Sequence, residues 1–495
     1  MEQELAQRVA ALRQYLSPDG SIPSVIQELL DYLPDCEYEL ISFMVAKGAW
    51  SGFIPPPPAN WQEGDGAVEL GMILYWLNNP ETISLSMFTP LEKLEIEGLL
   101  LIISAGLAPS QMTSQNSNYF NDHELIYSDG SVLSAETWAT FDQGWLIAFF
   151  NLLESLLRNL WYYGENLPNN IPPVIQLQGA TPGTVTVAVL GDCGTGDNTL
   201  QQVLQSITSK NPDYIIHVGD VYYSGTPLAT SKNGSAYFFP GEEVNNFVNC
   251  WPASYKGRSF TLNSNHEMYS GANGYFDDAL DASNKGANSL FNAQAGSSFF
   301  FLQLGDWLLI GLDTAYQSSS SNAFMDGTIG GATGMQATWI RKINRNPDKT
   351  ILFTHHNGFA ADCSSVATLW GEINGAFGRD PYAWYWGHVH NGIVYNRPTT
   401  IPPPPGQPQQ PTFTTYTYAR CLGHAAIPYG MVTGLPKKVL WNESTLQPPP
   451  SKQLSNGYAI LTFNTNNNTV TQITEDFYDV SSSTSKFHNV IFPGK

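Results

Sequence analysis

Charged residues are scarce in this sequence, and basic residues are the scarcest of them. Of the 495 residues only 13% are charged, with 22 Lys and Arg against 43 Asp and Glu, which gives a formal net charge of −21 at pH 7. Nucleic-acid backbones and anionic membranes are therefore excluded as main partners, because the chain would repel both. A phosphorylated substrate would also be repelled, so a site that binds one needs local positive charge, for which bound cations are the obvious source.

Ordered cysteine spacing and a signal peptide are missing as well. The five cysteines are dispersed and never form a C-x-x-C pair, which excludes a disulfide framework and a zinc ribbon. The first residues, MEQELAQRVAALRQYL, lack the basic start and unbroken apolar stretch of a signal peptide and are typical of an amphipathic helix. We therefore expect a soluble, cytoplasmic protein. The Asn-, Ser- and Thr-rich composition also resembles exported proteins and leaves signal-independent export open.

An uninterrupted hydrophobic run that could span a bilayer is absent too. The most apolar tract, residues 145–163, comes close in length, but polar residues recur along it every three or four positions. They are Asn151, Glu154, Ser155, Arg158 and Asn159. A polar line of this period predicts a helix that is mostly buried in a bundle. Contact with a membrane surface or a partner is the less favoured alternative.

The chain divides into three parts by composition. Residues 1–165 have the apolar spacing of helices and predict an all-α domain of unknown role, whereas the Pro-, Asn- and Gly-rich residues 166–183 predict a linker. Residues 184–495 alternate short β-rich runs with helical ones and predict an α/β domain.

The α/β domain begins with a predicted β-α-β unit. It consists of a strand over 184–190, a helix over 198–209 and a strand over 214–218, which implies parallel strands with a right-handed crossover. Further strands are predicted over 299–304, 307–312, 351–353 and 458–463.

Two aspartates directly follow the strands of this unit. Asp192 stands in VTVAVLGDCGTGDN after the first strand, and Asp220 stands in YIIHVGDVYYSG after the second. Ligands of an open α/β sheet bind beyond the carboxyl ends of its strands, so we expect both carboxylates at one place. Without a partner they would repel each other and one would be protonated, whereas a bound cation removes that conflict.

Three later runs add imidazole and amide groups after apolar stretches, in FTLNSNHEMYS, ILFTHHNGF and YWYWGHVHNG. They supply Asn265 and His266, His355 and His356, and His388 and His390. Residues i and i+2 of an extended segment face the same way, so both imidazoles of the last pair can address one site. Carboxylate, imidazole and amide oxygen together predict a site for zinc, iron or manganese.

The order of these motifs, GD-x-G, GD-x-x-Y, N-H-E, strand-His and G-H-x-H, resembles the calcineurin-like metallophosphoesterase family, and within it the purple acid phosphatase branch. The common D-x-H start of the family loses its histidine here, at Gly194, and Tyr223 matches the tyrosinate ligand of that branch. Ser264 departs from the family, which has glycine there. The resemblance implies a four-layer α/β/β/α sandwich, preceded here by the all-α domain.

The resemblance also implies two metal ions bridged by Asp220. Fe(III) would be held by Asp192, Asp220, Tyr223 and His390, and Zn, Fe(II) or Mn(II) by Asp220, Asn265, His355 and His388. Tyr222 is the alternative phenol, with Tyr223 packing, because neighbouring strand residues face opposite ways. His356 is expected to bind substrate, and the alternative is that it replaces His355 as the ligand.

The resemblance implies a phosphoester hydrolase in which metal-bound hydroxide attacks a small phosphomonoester. His266 would protonate the leaving oxygen, unless it is an imidazole that only orients a ligand. A phosphodiesterase or a nucleotide hydrolase could use the same site, because the metals handle the phosphoryl group and loops select the rest. A further alternative is an interaction protein that acts through its helical domain. Arg420 and His424 either line the site or belong to a packed strand and turn.

Overall fold

The computed structural model describes residues 171–493 with short gaps, and isolated residues before them. The gaps are 229–230, 233–234, 238–239, 344–345, 404–410, 428–438 and 448–452. The isolated residues are 10, 124–126, 132–134, 148–149, 151–152, 155–156 and 160–161. The predicted all-α domain therefore lies almost entirely outside the described residues and stays a prediction. Among the described residues, no helix combines the length and the apolar character that crossing a membrane requires.

The strands are numbered in chain order. They are β1 (Glu124–Ile126), β2 (Val132–Ser134), β3 (Val174–Gln176), β4 (Thr184–Leu190), β5 (Tyr214–His217), β6 (Ser231–Lys232), β7 (Ser235–Ala236), β8 (Ser259–Thr261), β9 (Phe300–Leu304), β10 (Trp307–Leu312), β11 (Thr350–Thr354), β12 (Ala383–Trp386), β13 (Gly392–Tyr395), β14 (Thr399–Ile401), β15 (Phe413–Thr415), β16 (Tyr418–Leu422), β17 (Val439–Asn442), β18 (Gly457–Asn466), β19 (Thr469–Asp479) and β20 (Phe487–Phe492).

The α-helices between residues 171 and 493 are α1 (Asn198–Ser209), α2 (Asn265–Met268), α3 (Met335–Lys342) and α4 (Thr368–Phe377). Short turns of 3₁₀-helix or π-helix lie at Glu243–Phe247, Val248–Cys250, Ala253–Tyr255, Tyr275–Ala279, Ala282–Asn284, Asn292–Gln294, Ser320–Asn322, Gly331–Thr333 and Pro347–Lys349.

Most strands belong to two mixed sheets. The larger has the order β17-β13-β16-β12-β11-β10-β9-β3, and the smaller has the order β20-β19-β18-β4-β5-β8. In the smaller sheet β4, β5 and β8 are parallel, whereas β18 pairs antiparallel with both β4 and β19. In the larger sheet β10, β11, β12 and β16 are parallel. The predicted β-α-β unit and the mixed α/β fold are therefore confirmed.

Apolar spacing explains the β-α-β unit. All four residues of β5 are buried, as expected for a parallel strand that is covered on both faces. Helix α1 begins after Asp197, whose side chain caps the amides of Thr199 and Leu200. Its buried residues follow the helical period and form one stripe: Leu200, Val203, Leu204 and Ile207.

The main core lies between the two sheets. Val187 and Phe260 of the smaller sheet belong to one buried cluster with Phe300 and Phe353 of the larger sheet. A second buried cluster joins the other face of the larger sheet to α3 and α4. Helix α1 contacts the smaller sheet, where the hydroxyls of Ser206 and Tyr458 are 2.9 Å apart.

The predicted linker contains a strand. Residues 174–176 form β3, which pairs in parallel with β9 at the edge of the larger sheet. This strand has only three residues between proline- and glycine-containing stretches, so turn-forming composition hides it in the sequence. The boundary at 166–183 stays a prediction.

Candidate metal centre

Most predicted site residues lie on loops at the carboxyl ends of parallel strands, whereas Asn265 and His266 begin helix α2 after β8. Asp192 and Asp220 follow β4 and β5, and their loops are tied together by backbone hydrogen bonds. The amide of Asp192 donates to the carbonyl of Gly219 (2.9 Å), and the amide of Gly194 donates to the carbonyl of Asp220 (3.0 Å). The loops after β11 and β12 of the larger sheet carry His355 and His388.

Asp192, Asp220 and His355 form a buried group that could hold a metal ion. One potential ligand atom from each residue lies within 4.8 Å of the other two. Among the residues that the structure describes, no other group of three or more His, Cys, Asp or Glu side chains meets this condition.

Burial makes the charge of these carboxylates costly. Burial, and then the neighbouring Asp220, raise the pKa of Asp192 to about 8. Burial also opposes ionisation of Asp220, but nearby imidazoles, first that of His355, outweigh it and hold the pKa of Asp220 well below its usual range. A bound cation would remove the repulsion between the two carboxylates and keep both ionised at neutral pH.

The hydrogen bonds of His355 leave its second ring nitrogen facing acceptors. Nδ1 donates to the carbonyl of Val218 (2.9 Å), so Nε2 of the neutral imidazole carries a lone pair. Nε2 lies 2.9 Å from Oδ1 of Asn265 and 3.3 Å from Oδ1 of Asp220. The Asn265 amide keeps this orientation because its Nδ2 donates to the Tyr269 hydroxyl (3.0 Å). Three lone pairs that converge in a buried place fit a metal ion with imidazole, amide and carboxylate ligands.

A second group of donors surrounds the other oxygen of Asp220. The hydroxyl of Tyr222 lies 2.9 Å from Oδ2 of Asp220 and 2.9 Å from Nε2 of His390. Nε2 of His390 also lies 3.3 Å from Oδ1 of Asp192. The structure thus brings the hydroxyl of Tyr222, the alternative phenol, into this group.

Tyr223 supports the site through its backbone. Its amide donates to Oε1 of Glu242 (2.9 Å), and its carbonyl accepts a hydrogen bond from Nδ1 of His266 (2.7 Å). The His266 ring packs edge-on against Tyr222 and Tyr269, with centroid distances of 4.6 and 5.0 Å. Because Nδ1 is anchored, the imidazole of His266 has a fixed orientation, and Nε2 is the nitrogen through which it would exchange a proton.

His388 joins the site through its backbone and its ring. Its amide donates to both carboxylate oxygens of Asp192, at 2.9 and 3.1 Å. Its ring lies beside those of His355 and His356, with centroid distances of 5.1 and 4.8 Å. The loop after β12 therefore brings His388 beside His355 and His390 beside Asp192.

His356 is turned into the protein. Its Nδ1 bonds to the hydroxyl of Thr314 (2.8 Å), and its Nε2 donates to the carbonyl of Phe324 (2.8 Å). Burial lowers the pKa of His356 well below its usual value. Both ring nitrogens are used within the protein, so this geometry lends no support to the predicted substrate contact and favours His355 over His356 as a ligand.

Residues 185–392, which include all of these loops, match the family model of the calcineurin-like phosphoesterases. This part of the chain is a calcineurin-like phosphoesterase domain. The predicted family is therefore confirmed for this domain, which is a phosphoester hydrolase domain.

Two solved structures are similar to the chain that carries this phosphoesterase domain. One is GAP50, the anchor in the inner membrane complex of Plasmodium, with 13% identity and a TM-score of 0.37 over 62% of this chain and 88% of that chain. The other is a purple acid phosphatase from yellow lupin (Lupinus luteus) seeds, with 12% identity and a TM-score of 0.31. That match covers 62% of this chain and 53% of the lupin protein. No curated protein sequence matches this chain.

Ser264 contacts two carboxylates of the phosphoesterase domain, a role that the sequence did not predict. The Ser264 hydroxyl contacts Oδ1 of Asp220 and Oε2 of Glu267, and it accepts a hydrogen bond from the amide of His266 (3.1 Å) at the start of α2. Burial, and then Asp220, raise the pKa of Glu267 to about 8. Ser-x-x-Glu is the spacing of a capping box, which brings the two side chains together and was the available signal.

Arg420 and His424 belong to the packed core. Nε of Arg420 donates to both carboxylate oxygens of Glu475, at 3.0 and 2.9 Å, and both side chains are fully buried. His424 is buried against Gly392 and Gly457, and burial lowers its pKa to about 4. Of the two interpretations of these residues, the structure favours the packed strand and turn.

Proposed function

We propose that this chain is a dinuclear metal-dependent phosphomonoesterase of the purple acid phosphatase type. The observation that carries the proposal is the setting of Asp220. Its Oδ1 faces Nε2 of His355 (3.3 Å), whereas its Oδ2 faces the Tyr222 hydroxyl (2.9 Å) and Nε2 of His390 (3.6 Å). Each oxygen of the Asp220 carboxylate thus faces a different group of potential metal ligands. This is the arrangement that a carboxylate needs if it is to bridge two cations.

The proposed ligands form two sets that share Asp220. The first is Asp192, Asp220, Tyr222 and His390, and the second is Asp220, Asn265, His355 and His388. A phenolate is a hard, anionic donor, which suits Fe(III) in the first set, and the imidazole-rich second set suits Zn, Fe(II) or Mn(II). When bound, the two cations would neutralise phosphate charge and lower the pKa of a coordinated water.

His266 is the proposed donor of a proton to the leaving oxygen. The Tyr223 carbonyl holds Nδ1, and the rings of Tyr222 and Tyr269 restrict rotation of the imidazole, so Nε2 keeps one direction. A general acid must hold its proton in one direction within hydrogen-bond reach of the leaving group. The geometry around His266 supports this role.

The proposed substrate is a small phosphorylated compound. With a formal net charge of −21, most of the protein surface repels phosphate, so attraction is confined to the cation centre. A long polyanion would lie against the repelling surface, whereas a small monoester would meet only the centre.

Hydrolysis of p-nitrophenyl phosphate beside bis-p-nitrophenyl phosphate, with metal analysis of the purified full chain, tests the proposal. We expect bound transition metal and turnover of the monoester. Asp220→Asn and His390→Ala should each reduce this turnover at least about a hundredfold, because a ligand to the metals is lost. His488→Ala is the matched control, since His488 is largely exposed and bonds only Asp476 among the contacts described.

The outcomes separate the candidate functions. Turnover that prefers the diester would replace the monoesterase with a phosphodiesterase on the same site. A full chain that contains no transition metal and hydrolyses neither ester would overturn the proposal.

A further inference from the structure

Several described residues between positions 148 and 161, which precede the phosphoesterase domain in the chain, contact that domain. The described residues of this segment are Ala148, Phe149, Asn151, Leu152, Ser155, Leu156, Leu160 and Trp161, and all except Trp161 are buried. Two of the buried side chains, Asn151 and Ser155, are polar and fully inaccessible to solvent. Such groups are costly to bury unless they form hydrogen bonds.

The segment contacts three loops of the phosphoesterase domain. Nδ2 of Asn151 donates to the hydroxyl of Ser224 (2.7 Å), and the hydroxyl of Ser155 donates to the carbonyl of Tyr269 (2.9 Å). The ring of Trp161 packs edge-on against Phe324, with a centroid distance of 5.3 Å. These contacts are far apart in sequence, so the segment holds the three loops in one arrangement.

The backbone at Leu160 also lies close to the domain surface around Gly271 and Asn273. Nδ2 of Asn273 donates to the carbonyl of Leu160 (2.5 Å). Gly271 has a φ of +75°, and a Cβ at this position would lie 2.4 Å from the same carbonyl oxygen. The domain surface is therefore shaped for the segment at this point.

Two of the contacted loops, those of Tyr269 and Ser224, lead to residues of the metal centre. Tyr269 follows α2 directly, and its hydroxyl accepts the hydrogen bond that orients the amide of Asn265 (3.0 Å). The Ser224 hydroxyl donates to Oε2 of Glu242 (3.0 Å), whose other oxygen holds the amide of Tyr223 (2.9 Å).

We propose that Asn151 and Ser155 are positioning residues of the metal centre, and that both belong to the active site although they lie outside the matched domain. Ser155 fixes the end of α2, which carries Asn265 and His266. Asn151 fixes the loop whose Tyr223 carbonyl anchors His266. The inference rests on the proposed function for its catalytic consequence, but the positioning of Asn265 can be measured through metal binding alone.

The isosteric pair Ser155→Thr and Ser155→Val in the full chain tests this inference. Threonine keeps the hydroxyl that donates to the Tyr269 carbonyl, whereas valine has the same shape without it. We expect Ser155→Val to lose metal to a chelator about ten- to a hundredfold faster than Ser155→Thr, with a matching fall in kcat, as for other residues that orient a metal ligand. If Ser155→Val does not fold, Ser155→Ala removes the same hydroxyl without added bulk.

The pair Ser206→Thr and Ser206→Val is the matched control. Ser206 bonds the Tyr458 hydroxyl (2.9 Å) between α1 and the smaller sheet, so its loss removes a hydrogen bond of the same kind away from the metal centre. Both Ser206 variants should retain metal like the wild type. Equal metal retention and kcat in the two Ser155 variants would overturn the inference.

Failure of the proposed function would look different. A wild-type chain that holds metal but hydrolyses neither ester would contradict the phosphatase, while the Ser155 comparison of metal loss would still decide the positioning role. A wild-type chain that binds no metal would overturn both.

Discussion

Tyr222 and Tyr223 are adjacent phenols whose surroundings differ. The GD-x-x-Y spacing predicts Tyr223 as the ligand, yet the hydroxyl within 2.9 Å of both Asp220 and His390 is that of Tyr222. Strand β5 already ends at His217, so the alternation of side chains along a strand does not decide which phenol faces the centre. The motif predicts that a phenol belongs here, but the loop conformation decides which one.

Tyr222→Phe and Tyr223→Phe separate the two phenols at the residue scale. Fe(III) bound to a phenolate oxygen absorbs visible light because charge is transferred from the phenolate to the metal. If Tyr222 is the ligand, the Phe variant at 222 should lose the visible band of the metal-loaded protein, and the variant at 223 should keep it. The measurement is the absorption spectrum of each variant at equal iron content. Bleaching in Tyr223→Phe alone would restore the assignment that the motif gives.

The loops at the strand ends are the element-scale feature that sequence predicts best. An apolar run followed by Asp or His predicts a candidate ligand beyond the end of a parallel strand, and Asp192, Asp220 and His355 do follow such strands and lie close together. Close backbone approaches between loops are harder to predict because they depend on residues distant in sequence. A Cβ added to Gly387 would lie 2.4 Å from Oδ2 of Asp192, although almost two hundred residues separate the two positions in the sequence.

Gly387→Ala should therefore disable the centre. The added methyl group must displace the Asp192 carboxylate, which has to be placed within a few tenths of an ångström to bind a metal. We expect loss of metal retention and at least about a hundredfold fall in turnover. Gly375→Ala on α4 is the control, because its Cβ would meet nothing within 4 Å and alanine favours a helix by about 0.5–1 kcal/mol. Full metal retention in Gly387→Ala would contradict this prediction, because it would mean that the loop backbone shifts to accommodate the methyl group and the Asp192 carboxylate stays in place.

At the scale of the whole molecule, the sequence predicts local units and misses what joins them. Periodicity was sufficient for the β-α-β unit, whereas Asn151 and Ser155, which the pattern placed on a polar line, are fully buried. Periodicity could not predict the order of the eight strands in the larger sheet or the surface against which these two residues pack, because both depend on contacts between distant residues. Arg420 illustrates this limit, since its partner Glu475 lies 55 positions away on the other sheet.

The Arg420–Glu475 pair joins β16 of the larger sheet to β19 of the smaller one inside the core, with both side chains fully buried. Arg420→Met should lower the free energy of unfolding by about 3–5 kcal/mol, because it leaves the Glu475 carboxylate buried without its counter-charge. Arg420→Met combined with Glu475→Gln should recover part of this loss, since the charge is gone and the amide can still accept a hydrogen bond from Tyr385.

Denaturant unfolding of the single and double variants measures this coupling. Arg379→Met is the matched control, because the Arg379–Asp348 pair is 59% and 61% exposed and a surface pair contributes less than about 1 kcal/mol. A double variant no more stable than Arg420→Met would mean that Arg420 stabilises the core through packing, and that the two sheets do not depend on its charge. Recovery in the double variant would instead identify the uncompensated carboxylate as the main cost, as expected for a charge that is fully buried between the sheets.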